Sequence, residues 1–437
     1  MTDLLFARSL MAMSLAFHII FAVIGIGMPL LMVIAEAKWM RSRDPALLDL
    51  ARRWAKGTAI LFAVGAASGT VLSFELGLLW PGFMRFAGGI IGMPFSLEGF
   101  AFFTEAIFLG LYLYGWNRLR PAAHLACGIV VALSGIASAA FVIAANAWMN
   151  APVGFTLENG IITDVDPIAA MLSPATVPQV LHMTIAAYLA TGAGVAAVHA
   201  WFLRDEPTNA FHSHAFNIAI GIVIVAAPVQ IASGDLIAKM TAKLQPAKFA
   251  AMEAHYHTGS RAPLVIGGIP DDDAMAVRWG IEIPLVLSFL AGGSVDTAVQ
   301  GLDAFPRDEW PNTRIVHWAF DLMVACGMAL LALAGWAAIR LIRRRRLTGS
   351  RALLNACVIA GPLGFIAIEA GWFVTEVGRQ PWIIQGIMRT EEAVTPMPGL
   401  VVPFVGFALM YLLLSVVLIH ALRSQFLETS PAKQVDA

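Results

Sequence analysis

Residues 11–35 read MAMSLAFHIIFAVIGIGMPLLMVIA, a run of about 25 residues in which His18 is the one ionisable side chain. A helix needs about 20 apolar residues to cross the hydrocarbon core of a bilayer. Eight more runs of this kind follow, near 57–80, 93–116, 122–146, 179–203, 215–237, 315–341, 353–376 and 399–422. The chain has 437 residues, 59% hydrophobic and 13% charged, where soluble proteins carry roughly 25% charged residues. These patterns predict an all-α integral membrane protein of about nine transmembrane helices, with residues 1–437 forming a single membrane domain. The stretch IEIPLVLSFLA (281–291) is too short to span, and Glu282 and Pro284 interrupt it, so it reads as a re-entrant or surface segment. The first run is longer than a signal h-region and no small-residue cleavage motif stands out, so it reads as a span. Cys127, Cys326 and Cys357 all fall inside spans, where an odd number argues for small core residues over disulfides.

Basic residues set the expected orientation. The loops 36–56, 117–121, 204–214 and 340–352 with the C-terminal tail hold 17 Lys and Arg, including Arg52, Arg53 and the run Arg343–Arg346. The loops on the other side, apart from 238–314, hold four: Arg8, Arg85, Arg379 and Arg389. Short loops rich in Lys and Arg stay cytoplasmic. The N-terminus is therefore expected outside, the C-terminus in the cytoplasm, and loop 238–314 outside. The arginine run reads as a topology signal against lipid headgroups. With a net charge of −1, nothing points to a nucleic-acid partner.

Ionisable side chains inside spans are costly and mark functional sites by default. Here they are His18, Glu75, Glu98, Glu105, His182, His199, Asp235, Asp321, Glu369 and Glu376. Most fall in the outer half of the predicted bundle, with Met323 beside them; Glu105 lies near mid-membrane, and His199 is the exception, near the cytoplasmic end. His, Met and carboxylate at one depth on separate helices point to haem iron, bound non-covalently since no Cys-x-x-Cys-His occurs. No close His/Cys/Asp pair has zinc-ligand spacing. Glu98 and Glu105 share a helix face about 10 Å apart, either as a proton relay or as a polar seam to a neighbouring helix.

Two connecting segments also carry charge. Residues 246–257 read as a short amphipathic helix opened by Pro246. Lys248 and Glu253 are five residues apart, so an ideal helix puts them on different faces. In GWFVTEVGRQPW (371–382), Gly378 and Pro381 break the eighth span, and Arg379 lies next to Glu376, placed to meet an anionic group such as a haem propionate or simply to pair with the glutamate. Trp372 and Trp382 suit the membrane interface.

EVGRQPW (376–382), EGFAFFTE (98–105), ANAWMNAPVG (145–154) and QPAKFAAME (245–253) resemble subunit I of the cytochrome bd-type quinol oxidases, and the resemblance runs over nearly the whole chain. It implies a low-spin haem b held by His182 and Met323. His18 and Glu376 would ligate the two high-spin haems, one a haem b and one the oxygen-reducing haem d (or a third haem b). Glu98 would lie at the oxygen site, with Glu105 and Ser138 on a proton route from the cytoplasm. Lys248 and Glu253, with Gln245, would bind quinol in the external loop, and Arg8, Trp372 and Arg379 would support the haem cluster. The resemblance also implies a heterodimer with a second membrane subunit, a further small single-span subunit in some assemblies, and the bacterial cytoplasmic (inner) membrane.

Two features depart from the pattern. Many relatives carry Arg two residues before the Met ligand, where this chain has Asp321, leaving Arg314 as a substitute cation. The segment after Glu253 is also short, as in the branch often called cyanide-insensitive. The implied activity is quinol oxidation outside and reduction of O2 to water with cytoplasmic protons, separating charge without a pump. A proton-coupled transporter would also bury carboxylates at mid-membrane, but no clear internal repeat is visible. A haem-binding anchor subunit without catalysis is a third reading.

Overall fold

The computed structural model describes residues 3–428. Among them, nine helices are long and apolar enough to cross a membrane: Asp3–Ser42, Pro45–Leu79, Pro81–Tyr114, Pro121–Asn150, Thr176–Leu203, Ala210–Leu244, Thr313–Ile342, Arg351–Val377 and Val401–Ser424. They are spans 1 to 9 below. Each expected run lies within one of them, and the helices extend past the runs because their polar ends continue the same backbone ladder. The C-terminal tail counted with the basic loops lies, beyond Glu428, outside the described residues.

Local chemistry sets several boundaries. Proline at the first helical position opens spans 2, 3 and 4, where a missing N–H costs no hydrogen bond. Asp44, Asn209 and Asn312 cap the starts of spans 2, 6 and 7 by accepting from Ala46, His212 and Ile315 N–H groups at 2.9, 3.1 and 3.1 Å. Span 8 was expected to be continuous, but it is two helices, Arg351–Ala360 and Leu363–Val377. Pro362 breaks the ladder between them.

Within lipid, helices associate through close packing of small residues, since burial away from lipid brings no hydrophobic gain. Span 1 is the most enclosed helix and packs against spans 2, 4, 5 and 9. A methyl on Gly27 would fall 2.2 Å from Thr191 Oγ1, so spans 1 and 5 meet there at backbone distance. Span 9 is almost wholly exposed, with Val402, Leu409 and Leu412 on its open surface.

The connection between spans 6 and 7 has its own architecture. It contains a helix at Pro246–Met252, two small antiparallel pairings (Leu264–Ile266 with Ile281–Ile283, and Ile269–Asp271 with Ala276–Arg278) and a helix at Val286–Gly292. The 281–291 stretch thus supplies a strand and most of a short helix to this loop, with Leu287 packed beside Phe249, Ala262 and Val299. The helix at 246 is shorter than the expected 246–257, and it is not amphipathic: Lys248, Phe249, Ala250, Ala251 and Met252 are all buried. The rest of the loop packs on its apolar side, with Ala262, Leu287 and Val299 against Phe249, while Lys248 faces Asn150 of span 4, and Ala254 at φ 46° turns the chain out of the helix.

Candidate functional site

Spans 4 and 8 and the loop helix meet at one continuous polar chain. Lys248 Nζ donates to Asn150 Oδ1 at 2.7 Å, and Gln245 Nε2 donates to the same oxygen at 3.0 Å. The Asn150 amide donates to the Asn146 carbonyl at 2.8 Å and to Asn146 Oδ1 at 3.0 Å. Asn146 Nδ2 donates to Glu376 Oε1 at 2.7 Å, and Glu376 Oε2 pairs with Arg379 Nη2 at 2.5 Å. One unbroken set of contacts therefore joins Lys248 and Gln245 to Glu376 and Arg379. Arg379 is buried, and its Nε and Nη1 have no partner among the described residues.

Glu253 belongs to a different network. It is buried beside Asp321, which accepts the Gly267 N–H at 2.6 Å. Burial, and then the charge of Asp321, pushes the Glu253 carboxyl up to about 8. Burial, and then the Arg379 cation, pulls the Lys248 ammonium down to about 7, with Glu376 acting in the opposite sense. Arg314 is exposed, and its guanidinium reaches the Pro270 carbonyl at 3.5 Å.

His18 and His182 are held by the same device. His18 Nδ1 meets Ser68 Oγ at 3.0 Å, and that hydroxyl donates to the Val64 carbonyl at 3.0 Å. His182 Nδ1 meets Ser233 Oγ at 2.9 Å, and that hydroxyl donates to the Gln230 carbonyl at 2.9 Å. With its proton committed to a carbonyl, each hydroxyl accepts from Nδ1–H, which leaves Nε2 with the lone pair. A glycine follows each serine. A methyl on Gly69 would lie 2.9 Å from His18 Cε1, and one on Gly234 would lie 3.5 Å from His182 Cε1. At His182 the Gln230 amide also lies 3.0 Å from Nε2. Met323, on span 7, faces span 8, where a methyl on Gly371 would lie 3.1 Å from its Sδ.

Spans 3 and 4 share a third polar seam. Ser138 Oγ donates to Glu98 Oε1 at 3.1 Å. Farther toward the arginine-rich side, Glu105 is buried, and a methyl on Gly135 would lie 3.5 Å from both its oxygens. Trp372 packs with Ile19, Val23, Ala187 and Ile368, between spans 1, 5 and 8. Arg8 is exposed on span 1 and makes no hydrogen bond or ion pair among the described residues. His199 is buried apart from these groups, with its Nδ1 2.9 Å from that of His212.

Sequence reading missed Asn146 and Asn150 as connectors, Ser68 and Ser233 as histidine partners, and His317. A signal for the serines is present: Ala67-Ser68-Gly69 and Ala232-Ser233-Gly234 repeat one triplet in two spans.

A nine-helix bundle with imidazole, thioether and carboxylate groups inside it defines a multi-pass membrane protein. The chain belongs to the cytochrome bd terminal oxidase subunit I family, whose model matches residues 6–430. It is similar, at 37% identity over 98% of its length and 97% of the relative's, to a chain of Bacillus subtilis (strain 168) named provisionally as a cytochrome bd menaquinol oxidase subunit I. It is also similar to the cytochrome bd ubiquinol oxidase subunit 1 of the same strain, at 31% identity over 96% of this chain and 92% of that one. Among solved structures it resembles the bd oxidase of Geobacillus thermodenitrificans, with a TM-score of 0.93 and 39% identity over 98% of this chain and 99% of the other. The chain is thus a component of a terminal quinol oxidase. Its family implies haem cofactors, a quinol substrate and, normally, a partner subunit II.

Proposed function

We propose that this chain oxidises quinol at the 245–312 loop and reduces O2 to water within the bundle, drawing protons from the arginine-rich side. The reading rests chiefly on the paired histidine device: two imidazoles, each turned by a serine so that Nε2 is the ligating nitrogen and each beside a glycine. Metal-bound histidines characteristically have the other ring nitrogen held in this way.

The donor set fits haem. His182 and Met323 would hold a low-spin haem b as an imidazole–thioether pair. His18 and Glu376 would hold the two high-spin haems, a haem b and a haem d or third haem b. The Nε and Nη1 of buried Arg379, without a partner among the described residues, suit a propionate, and Trp372, packed with Ile19, Val23, Ala187 and Ile368, would give the haem cluster an apolar wall. Arg8 joins this support only where subunit II or a propionate gives it a partner. Bound haem supplies electron transfer and oxygen chemistry; the protein supplies placement, ligation and electrostatics.

Glu253 takes a proton from the quinol hydroxyl, a role that its carboxyl, pushed up to about 8, takes on as the pH rises toward that value. Lys248 and Gln245, both fixed on Asn150, hold the other quinol oxygen. Glu105, Ser138 and Glu98 carry protons inward from the opposite face. With the N-terminus and the loop outside, quinol protons leave outside while water-forming protons enter from the cytoplasm. Charge then separates across the bacterial inner membrane without a pump. The complex with subunit II should show quinol-driven oxygen uptake, and Glu253→Gln should lose it while keeping its haem spectrum. Loss of haem in that variant would make the loop structural and overturn the quinol assignment.

A further inference from the structure

The loop between spans 6 and 7 carries an apolar face outside the polar site. Residues 279–290 read WGIEIPLVLSFL, with Glu282 the one charged side chain. Trp279 is 83% exposed and Ile281 67%, and Ile283, Leu285, Phe289 and Leu290 are exposed as well. In the pairing of Leu264–Ile266 with Ile281–Ile283, Ile266 stands opposite Ile281, Leu264 opposite Ile283 and Val265 opposite Glu282. Successive side chains of a strand point to opposite faces, so the leucine and the three isoleucines share one face and Glu282 lies on the other. Leu264 packs with Leu287, which joins this strand face to the helix Val286–Gly292. The two neighbouring spans set its depth. Ala238 and Ala242 of span 6 pack with the same Leu287 cluster. Span 6 exposes Val225, Val229 and Leu236 along one stripe, and exposed Lys243 continues it about 10 Å past Leu236. Span 7 exposes Ile315, Trp318 and Leu322 along one stripe, and Trp318 Nε1 donates to the Gly268 carbonyl, just past Ile266, at 2.8 Å. Lysine ends and tryptophan rings gather at the headgroup level of a bilayer.

We propose that this face seats the loop in the bilayer interface on its own side of the membrane, with Ile281, Phe289 and Leu290 among the lipid headgroups and upper acyl chains. Lipid is favoured over a protein partner because the face continues the exposed apolar stripes of spans 6 and 7, and does so where those stripes end in lysine and tryptophan. The backbone limits how deep it goes. With two strands in the pairing, each keeps one edge outside it, and hydrocarbon cannot solvate free N–H and C=O groups. The seat therefore stops at the headgroup layer. The second hairpin marks the water side: Asp271, Asp272 and Asp273 lie at its turn, and the Asp273 side chain is wholly exposed. Glu253 belongs to the same loop, so the seat holds it near the level at which a lipid-soluble quinol arrives. This consequence rests on the proposed part of Glu253 in quinol oxidation; the seat does not.

The test uses the complex with subunit II in phosphatidylcholine–phosphatidylglycerol vesicles. An environment-sensitive fluorophore is attached at Phe289→Cys or Ile281→Cys, with Ala274→Cys on the acidic hairpin as the water-side control; the native Cys127, Cys326 and Cys357 are buried. Lipids brominated high on the acyl chain should cut the emission at 281 and 289 to about half, as for side chains lying in the interface, and leave 274 unchanged. Bromine near the chain end should quench less. Quenching at 281 and 289 no greater than at 274 would overturn the seat. Aqueous iodide then identifies the cause: iodide quenching means that the face is in water, and protection from both quenchers means that a protein covers it. If the labelled variants do not assemble, a lipid-borne diazirine on the parent complex carries the test. Crosslinks should map to 279–290, and their absence there would overturn the proposal. In kinetics, Ile281→Ser with Phe289→Ser should raise the KM for a long-chain quinol in the vesicles about threefold and leave that for a water-soluble short-chain quinol unchanged. Equal effects on both quinols, or none, would overturn the quinol consequence. If Glu253→Gln leaves quinol oxidation intact, the quinol reading fails, while the seat still stands or falls on the quenching.

Discussion

Glu253→Gln should abolish the alkaline rise in quinol oxidation. The carboxyl has an ordinary value of 4.5, and burial beside Asp321 pushes it up to about 8. At ~1.4 kcal/mol per pH unit, ionising it in place costs about 5 kcal/mol more than in water. The sign follows: below about 8 the group is protonated and cannot serve as a base, and it becomes one as the pH rises. About one molecule in ten is ionised at pH 7 and about one in a hundred at pH 6. The kcat/KM for quinol, with oxygen saturating, should rise about tenfold from pH 6 to 7, about fivefold from 7 to 8, and then level off. Lys248, pulled down to about 7, is neutral over most of the range in which Glu253 ionises. Lys248→Met should lower the rate throughout without moving the midpoint. The assay is oxygen uptake by the complex with subunit II. A profile flat from pH 6 to 9, or an alkaline rise that survives Glu253→Gln, would refute the reasoning.

Other changes test separate parts of the site. Ser233→Ala frees His182 Nδ1 and should weaken low-spin haem retention about 10- to 100-fold, read by haem content after detergent washing. Gly371→Ala puts a methyl 3.1 Å from Met323 Sδ; it should cost about 1–3 kcal/mol in thermal stability and perturb the low-spin band. Asn150→Leu removes the acceptor that Lys248 and Gln245 share, and should raise the quinol KM about tenfold with the haem bands intact. For topology, an impermeant maleimide on intact cells should label Ala274→Cys but not Gly349→Cys, both exposed positions; the reverse would invert the orientation.

The nine spans were legible because run length alone decides whether a helix crosses a bilayer. The loop was not. Lys248 and Glu253 suggested an amphipathic surface helix, yet its depth depends on strands tens of residues away folding over it. The asparagines were visible inside ANAWMNAPVG, but their role as connectors arises only when the end of span 4 meets the loop helix and span 8. The repeated Ala-Ser-Gly triplet was readable, but only the packing of span 2 on span 1 and span 6 on span 5 pairs each copy with a histidine. Asp321 looked anomalous as an anion before Met323; its partners, the Gly267 N–H and His317, are brought to it by the loop fold.

The central claim is that the buried His and Met groups of this bundle hold redox-active haem. A reduced-minus-oxidised difference spectrum of the purified complex, recorded for the parent chain, His182→Ala and Met323→Leu, tests it most directly. The parent should show low-spin and high-spin bands. Each variant should lose the low-spin band while the subunits still co-purify and the high-spin bands remain. A low-spin band that survives both substitutions, or a parent complex without haem bands, would contradict the account.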